Sequence, residues 1–207
     1  MRALHDWHHG GSPDGVVLML HGGAETGLDE ISARSGPYVR SRAMAAAIRR
    51  PLADHGVDLA LLRFSIRGWN ADIGEPSPLA DARWALREVA SRYGPVSVVL
   101  LGHSMGARTA LHVADDPAVA GVVGLAPWFP KDDDVSPIIG KHLVAAHGSR
   151  DKITSARHSR ALLERAGAAG AYTRFVDMGP LGHYMLRHPR AWDRAATEAC
   201  LGVLHHS

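Results

Sequence analysis

The chain has 207 residues, of which 46% are hydrophobic and 21% charged, with a formal net charge of +2. The apolar fraction is too high and the net charge too small for a disordered chain, and the length suits one domain, 1–207, with a real core. A membrane span is excluded, because the longest candidate run, Val119 to Trp128, is broken by Gly121 and Gly124 and falls short of the roughly 20 apolar residues required.

Taken in chain order, short apolar runs alternate with longer amphipathic ones. The opening stretch, MRALHDWHHGG, has no apolar h-region of a secretory signal, and His5, His8 and His9 read as a solvated terminal segment. Val16 to Leu20 is the first strand, followed by a long loop from Gly22 to Pro37. Tyr38 to His55 is a helix stopped by Gly56. Asp58 to Leu62 is a strand, and Leu79 to Tyr93 a helix with Leu79, Ala82, Leu86, Val89 and Ala90 on one face. Val96 to Leu101 is a strand and Ser104 to Asp115 a helix ending before Pro117. The strand Val119 to Leu125 leads into a second long loop, Ala126 to Lys141, in which Asp132, Asp133 and Asp134 read as a solvated face. The strand His142 to His147, the helix Ser155 to Ala166, the strand Ala171 to Val176 and a helix opened by Pro189 and running to about Leu204 complete the chain. Near-continuous apolar strands separated by helices imply an α/β fold: a mainly parallel, twisted sheet of about six strands with helices on both faces.

The basic side is almost all arginine, since only Lys131, Lys141 and Lys152 among the 23 basic residues are lysines. They are dispersed and balanced by 21 acids, so no nucleic-acid partner is expected. The 14 histidines show no ligand spacing such as HExxH, so neither a metal nor a cofactor is expected. The lone cysteine, Cys200, cannot form an internal disulfide, and with no secretory signal the expected location is the cytoplasm. Oligomeric state leaves no signal in the sequence.

In a parallel sheet, ligands sit beyond the carboxyl ends of the strands, so chemistry is sought just after each apolar run. Gly102-His103-Ser104-Met105-Gly106 fits G-x-S-x-G, a sharp strand-to-helix turn with serine at its apex. A serine hydroxyl needs a base, and the base needs an orienting acid. Asp151 follows the fifth run and His183 the sixth, in the order Ser, Asp, His that this architecture requires. His103 is a weaker candidate base, because its side chain should point away from the apex. The oxyanion of a tetrahedral intermediate would take the backbone N–H of Met105 and, from the Gly-rich stretch His21-Gly22-Gly23, that of Gly23. His21 is expected to brace that loop.

Together these segments resemble the serine α/β-hydrolase family. HGG, RGW, GHSMG, HGSRD and GH occur in the family's order, and the resemblance runs from about Val16 to Leu204. It implies a Ser104–His183–Asp151 triad and hydrolysis of a carboxylic ester or thioester through an acyl-enzyme, as in carboxylesterases and thioesterases. Two departures stand out. Only Ala126 to Lys141 occupies the place of a lid domain, which places the chain with small, lidless members. The second departure is the expected lack of a full antiparallel hairpin before the first strong strand. The substrate is expected to be a small acyl compound, free or carrier-bound. Trp69, Trp128 and Phe129, with Met105, are candidates for an apolar acyl pocket, with ordinary core packing the equal alternative. Arg34, Arg40 and Arg42 are candidate contacts for a phosphate-bearing carrier such as coenzyme A. The same scaffold also serves acyl transfer, cyclisation and lyase chemistry, or plain ligand binding.

Overall fold

The computed structural model describes residues 1–206, apart from the side chain of Ile73. Its strands are β1 (Ala3–Trp7), β2 (Gly15–Leu20), β3 (Val57–Arg63), β4 (Val98–His103), β5 (Val119–Leu125), β6 (His142–His147) and β7 (Tyr172–Asp177). Its α-helices are α1 (Gly36–Ala53), α2 (Ser77–Tyr93), α3 (Met105–His112), α4 (Ala156–Ala168) and α5 (Pro189–Leu204). The strands form one sheet in the order β1-β3-β2-β4-β5-β6-β7, parallel throughout except for β1, which runs antiparallel to β3. β2 and β4 are buried at every position, as their continuous apolar runs require when helices cover both faces.

Side chains alternate across the sheet and build a core on each side. Val16, Leu18, Leu20 and Leu100 point to the face covered by α2, α3 and α4. Val17, Met19, Val99 and Leu101 point to the face covered by α1 and α5, where the fully buried Trp192 is the largest side chain. The Cys200 thiol lies in this second core, where burial pushes its pKa up.

The sheet has seven strands rather than about six. The addition is β1, a short, partly exposed edge strand whose only partner is β3, so the chain opens on a single antiparallel strand and not on a hairpin. The terminal histidines are solvated only in part, since His5 and His8 are exposed and His9 is half-buried. His5 lies in β1, and His8 and His9 both hydrogen-bond the buried carboxylate of Asp58 at the start of β3. That buried acid needs partners, and the terminal histidines supply them.

The loop from Gly22 to Pro37 is fastened rather than free. Its Ala24 and Glu30 form isolated bridges with Gly68 and Ile66. Asn70, in the left-handed region at φ 56°, accepts from the Gly27 N–H at 2.8 Å and donates to the Gly27 carbonyl at 3.0 Å. Between β5 and β6, residues 126–141 contain one 3-10 turn, Ser136–Ile138. Among the described residues, no helix is long and apolar enough to cross a membrane.

Candidate active site

The serine of the G-x-S-x-G segment sits between β4 and α3, at φ 53° and ψ −117°. A non-glycine residue at positive φ is strained, and the glycines on either side are what the turn requires. A Cβ on Gly106 would fall 2.1 Å from the Leu20 carbonyl oxygen, and one on Gly102 would fall 2.4 Å from the Ala107 backbone. The elbow is therefore pressed onto the end of β2, next to the loop that β2 feeds. Ser104 is 8% exposed.

Gly23 lies in that loop. A Cβ there would come within 2.5 Å of the Met105 sulfur and of the Arg67 carbonyl oxygen, so only glycine lets the two segments approach. Gly23 and Met105, the two candidate oxyanion donors, are thereby brought together. Met105 opens α3, where the first N–H groups of a helix have no partner within it. His21 braces the loop as expected. Its Nδ1 donates to the Gly22 carbonyl at 2.6 Å and its Nε2 accepts from the Phe64 N–H at 3.1 Å. Burial pushes its pKa down to about 4 and keeps it neutral.

Asp151 and His183 converge from the loops after β6 and β7. His183 Nδ1 lies 2.9 Å from Asp151 Oδ2. A carboxylate only accepts, so Nδ1 carries the proton and Nε2 keeps its lone pair. Asp151 is held by the turn that follows it, its Oδ1 accepting from the Ile153 and Thr154 N–H groups at 2.8 and 2.9 Å. Burial alone would push the carboxyl pKa up, but hydrogen bonds from His147, His183 and these amides outweigh it and hold it well below the usual carboxylate range. Ser155 caps α4 by accepting from the His158 N–H, so the helix start does not draw on Asp151.

His103 packs beneath His183, with ring centroids 4.9 Å apart. Its Nε2 donates to the His183 carbonyl at 3.0 Å, which ties the histidine loop to the elbow. Burial, then the charges of His183 and Arg40, pushes its pKa down to about 3. It is a weak base, and its role is to hold the His183 backbone. Among the described residues, the Ser104 hydroxyl has no hydrogen bond and the His183 ring bonds only through Nδ1. Such contacts commonly tighten only in the substrate complex.

The aromatic residues named for the pocket are placed differently from one another. Phe129 is buried in the core on the α3 side of the sheet. Trp69 and Trp128 meet edge to face at 6.1 Å and both contact the guanidinium of Arg108, at 4.3 and 4.5 Å from their ring centroids. Arg108 in turn binds Asp133 through Nε at 2.8 Å and Nη2 at 2.6 Å. Asp133 is only 6% exposed, so the acidic run is not a uniformly solvated face. Two side chains from distant segments form this pair, and no local pattern marks it. A cleft of about 500 Å³ opens beside Asp151, lined by Trp128, Phe129, Lys152, Thr154 and His158. Arg40 lies against the Tyr184 ring at 5.2 Å, and Tyr184 packs edge to face on His183. Among the described residues, no group of three or more His, Cys, Asp or Glu side chains is arranged to hold a metal ion.

A strained serine between a parallel strand and a helix, with a histidine and an acid after later strands, defines the α/β-hydrolase class. Residues 15–146 match the family model described as alpha/beta hydrolase fold, and the chain belongs to that family. Among solved structures it is similar to an alpha-beta serine hydrolase homologue from Coxiella burnetii, at 17% identity and TM-score 0.70 over 96% of this chain and 91% of that one. It is also similar to a serine hydrolase without lid from Xanthomonas campestris, at 17% identity and TM-score 0.68 over 95% and 86% of the two chains. Est1E from Butyrivibrio proteoclasticus, solved with bound ferulic acid, matches at 12% identity and TM-score 0.69 over 99% and 96%. No curated protein sequence gives a match.

Proposed function

We propose that the protein is a serine-dependent acyl hydrolase that cleaves a carboxylic ester or thioester of a small, free or carrier-bound acyl compound. The observation that carries this is the strained Ser104 at the carboxyl edge of the sheet, with a His183 that packs on the adjacent His103 and has its Nδ1 fixed on Asp151. His183 Nε2 takes the hydroxyl proton as Ser104 Oγ attacks the acyl carbonyl. The N–H groups of Met105 and Gly23 hold the oxyanion, and the start of α3 adds a favourable dipole. His183 then protonates the leaving oxygen or sulfur. Water, deprotonated by the same Nε2, releases the acid and restores Ser104. Asp151 stays ionised throughout and stabilises the imidazolium. The esterase neighbours support hydrolysis as the chemistry.

The test is labelling with a fluorophosphonate, mapping of the modified peptide, and then a panel of esters and thioesters graded by acyl length. Stoichiometric modification at Ser104 is expected. Ser104→Ala should lower kcat by on the order of 10⁴–10⁶. A loss below tenfold, or labelling elsewhere, overturns the assignment.

A further inference from the structure

Asp151 carries a second histidine. His147, at the end of β6 and fully buried, places Nε2 3.2 Å from the same Oδ2 that holds His183. On its other side, His147 Nδ1 lies 3.0 Å from the Ser159 hydroxyl of α4. We propose that His147 is a positioning residue that shares the Asp151 carboxylate with His183 and so limits how strongly that carboxylate favours the charged form of His183. The proposal rests on the function proposed above.

Asp151 only accepts, so its contact with His147 is favourable in the forms of the ring that carry a proton on Nε2, where Thr154 Oγ1 also lies 3.4 Å away. When His147 is neutral, Nδ1 is bare and accepts the Ser159 hydroxyl proton. When His147 is charged, Nδ1–H donates to Ser159 Oγ, and the hydroxyl turns to the Ser155 carbonyl at 3.3 Å. Either state leaves both ring nitrogens of His147 and the Ser159 hydroxyl paired. Thr154 Oγ1 adds a third contact to Oδ2 at 2.9 Å. Oδ2 is thus divided among three contacts while Oδ1 takes two backbone N–H groups, in a setting where removal of one donor concentrates the charge on the others.

The other charged or titratable groups about the trio come from several elements. His103 of β4 and Arg40 of α1 act on the His183 side, with Tyr184 on the His183 ring. Lys152 and His158 line the cleft beside Asp151. Asp177, the register partner of His147 on β7, turns a largely exposed carboxyl to Arg160. Among the described residues, His147 is the one titratable group that shares Oδ2 of Asp151 with His183.

The experiment compares wild type, His147→Phe, His147→Gln and Ser159→Ala by the pH dependence of fluorophosphonate labelling. It also follows the low-field NMR resonance of the His183 Nδ1 proton. His147→Phe removes a donor, so the acid limb of labelling should move up by about one pH unit and the resonance should shift. His147→Gln restores an N–H to Asp151 and should return both to wild-type values. Ser159→Ala, a mild change that keeps the ring, should move both in the Phe direction by less, and it carries the test if His147→Phe does not fold. An unmoved limb and resonance in both His147→Phe and Ser159→Ala, with a uniform loss of rate, overturn the proposal. If the wild type leaves Ser104 unmodified, the proposed function falls, while a shifted resonance still upholds the shared carboxylate.

Discussion

Acid should weaken this protein well before its carboxylates protonate, and His103 is where to measure it. The folded chain keeps this histidine pushed down to about 3 by burial, whereas the unfolded chain titrates it at the ordinary histidine value of about 6.5. Below that upper value the unfolded state binds a proton that the folded state refuses. Stability therefore falls as pH falls, by about 1.4 kcal/mol per pH unit for each such group. Between about pH 7.5 and about pH 4.5 the cost is about 3 kcal/mol for His103. His21, pushed down to about 4, adds about 2 kcal/mol over the same window. The sum, about 5 kcal/mol, is a large share of the roughly 5–15 kcal/mol that a domain has to lose. Asp151 acts in a lower window, since its folded pKa is depressed and its contribution is lost only below the ordinary carboxylate value of 3.8. Urea unfolding of wild type and His103→Gln at the two pH values gives the comparison. Glutamine can still donate to the His183 carbonyl but takes up no proton. The variant should lose about 3 kcal/mol less than wild type on acidification. Equal losses in the two proteins would refute the reasoning.

Two further changes probe the elbow and the pair beneath it. Gly106→Ala drives a methyl group to 2.1 Å from the Leu20 carbonyl oxygen, which backbone cannot yield. Thermal unfolding should show a loss of at least about 3 kcal/mol, or no folded protein at all. Asp133→Ala leaves the Arg108 guanidinium enclosed by two tryptophans without its counter-charge, and should cost about 3–5 kcal/mol by urea unfolding. Combining Asp133→Leu with Arg108→Met should recover most of that loss, and additive losses would show that the pair is not coupled.

The parts of the molecule that could be read in the sequence are those whose physics is local. Continuous apolar runs mark β2 to β6, and the crowding of the elbow writes Gly102 and Gly106 into five consecutive residues. Chain order alone places Asp151 and His183 at the same edge of the sheet. What escaped depends on partners far away in sequence. β1 is short and half-exposed, and only its pairing with β3 makes it a strand. Asp133 looked like one of three solvated acids until Arg108, from a different helix, was brought against it. The direction of the His103 ring followed from the elbow, but its bond to the His183 carbonyl depends on how the last loop packs. His147 stands in the HGSRD segment, yet nothing in that spacing reveals that its ring turns back to the same carboxylate.

The strand order has a consequence for synthesis. Translation proceeds from the N-terminus, and residues up to β5 already supply the five strands β1-β3-β2-β4-β5 with the elbow in their midst. β6 and β7 are added afterwards at the free edge beside β5, bringing His147, Asp151 and finally His183. From Ser104 to His183 there are 183 − 104 = 79 residues still to be made. At roughly 5–20 residues per second, that is a delay of about 4–16 seconds. On the proposed mechanism, the nascent chain would hold Ser104 during that interval without the histidine that serves as its base, and the last strand to dock would complete the site.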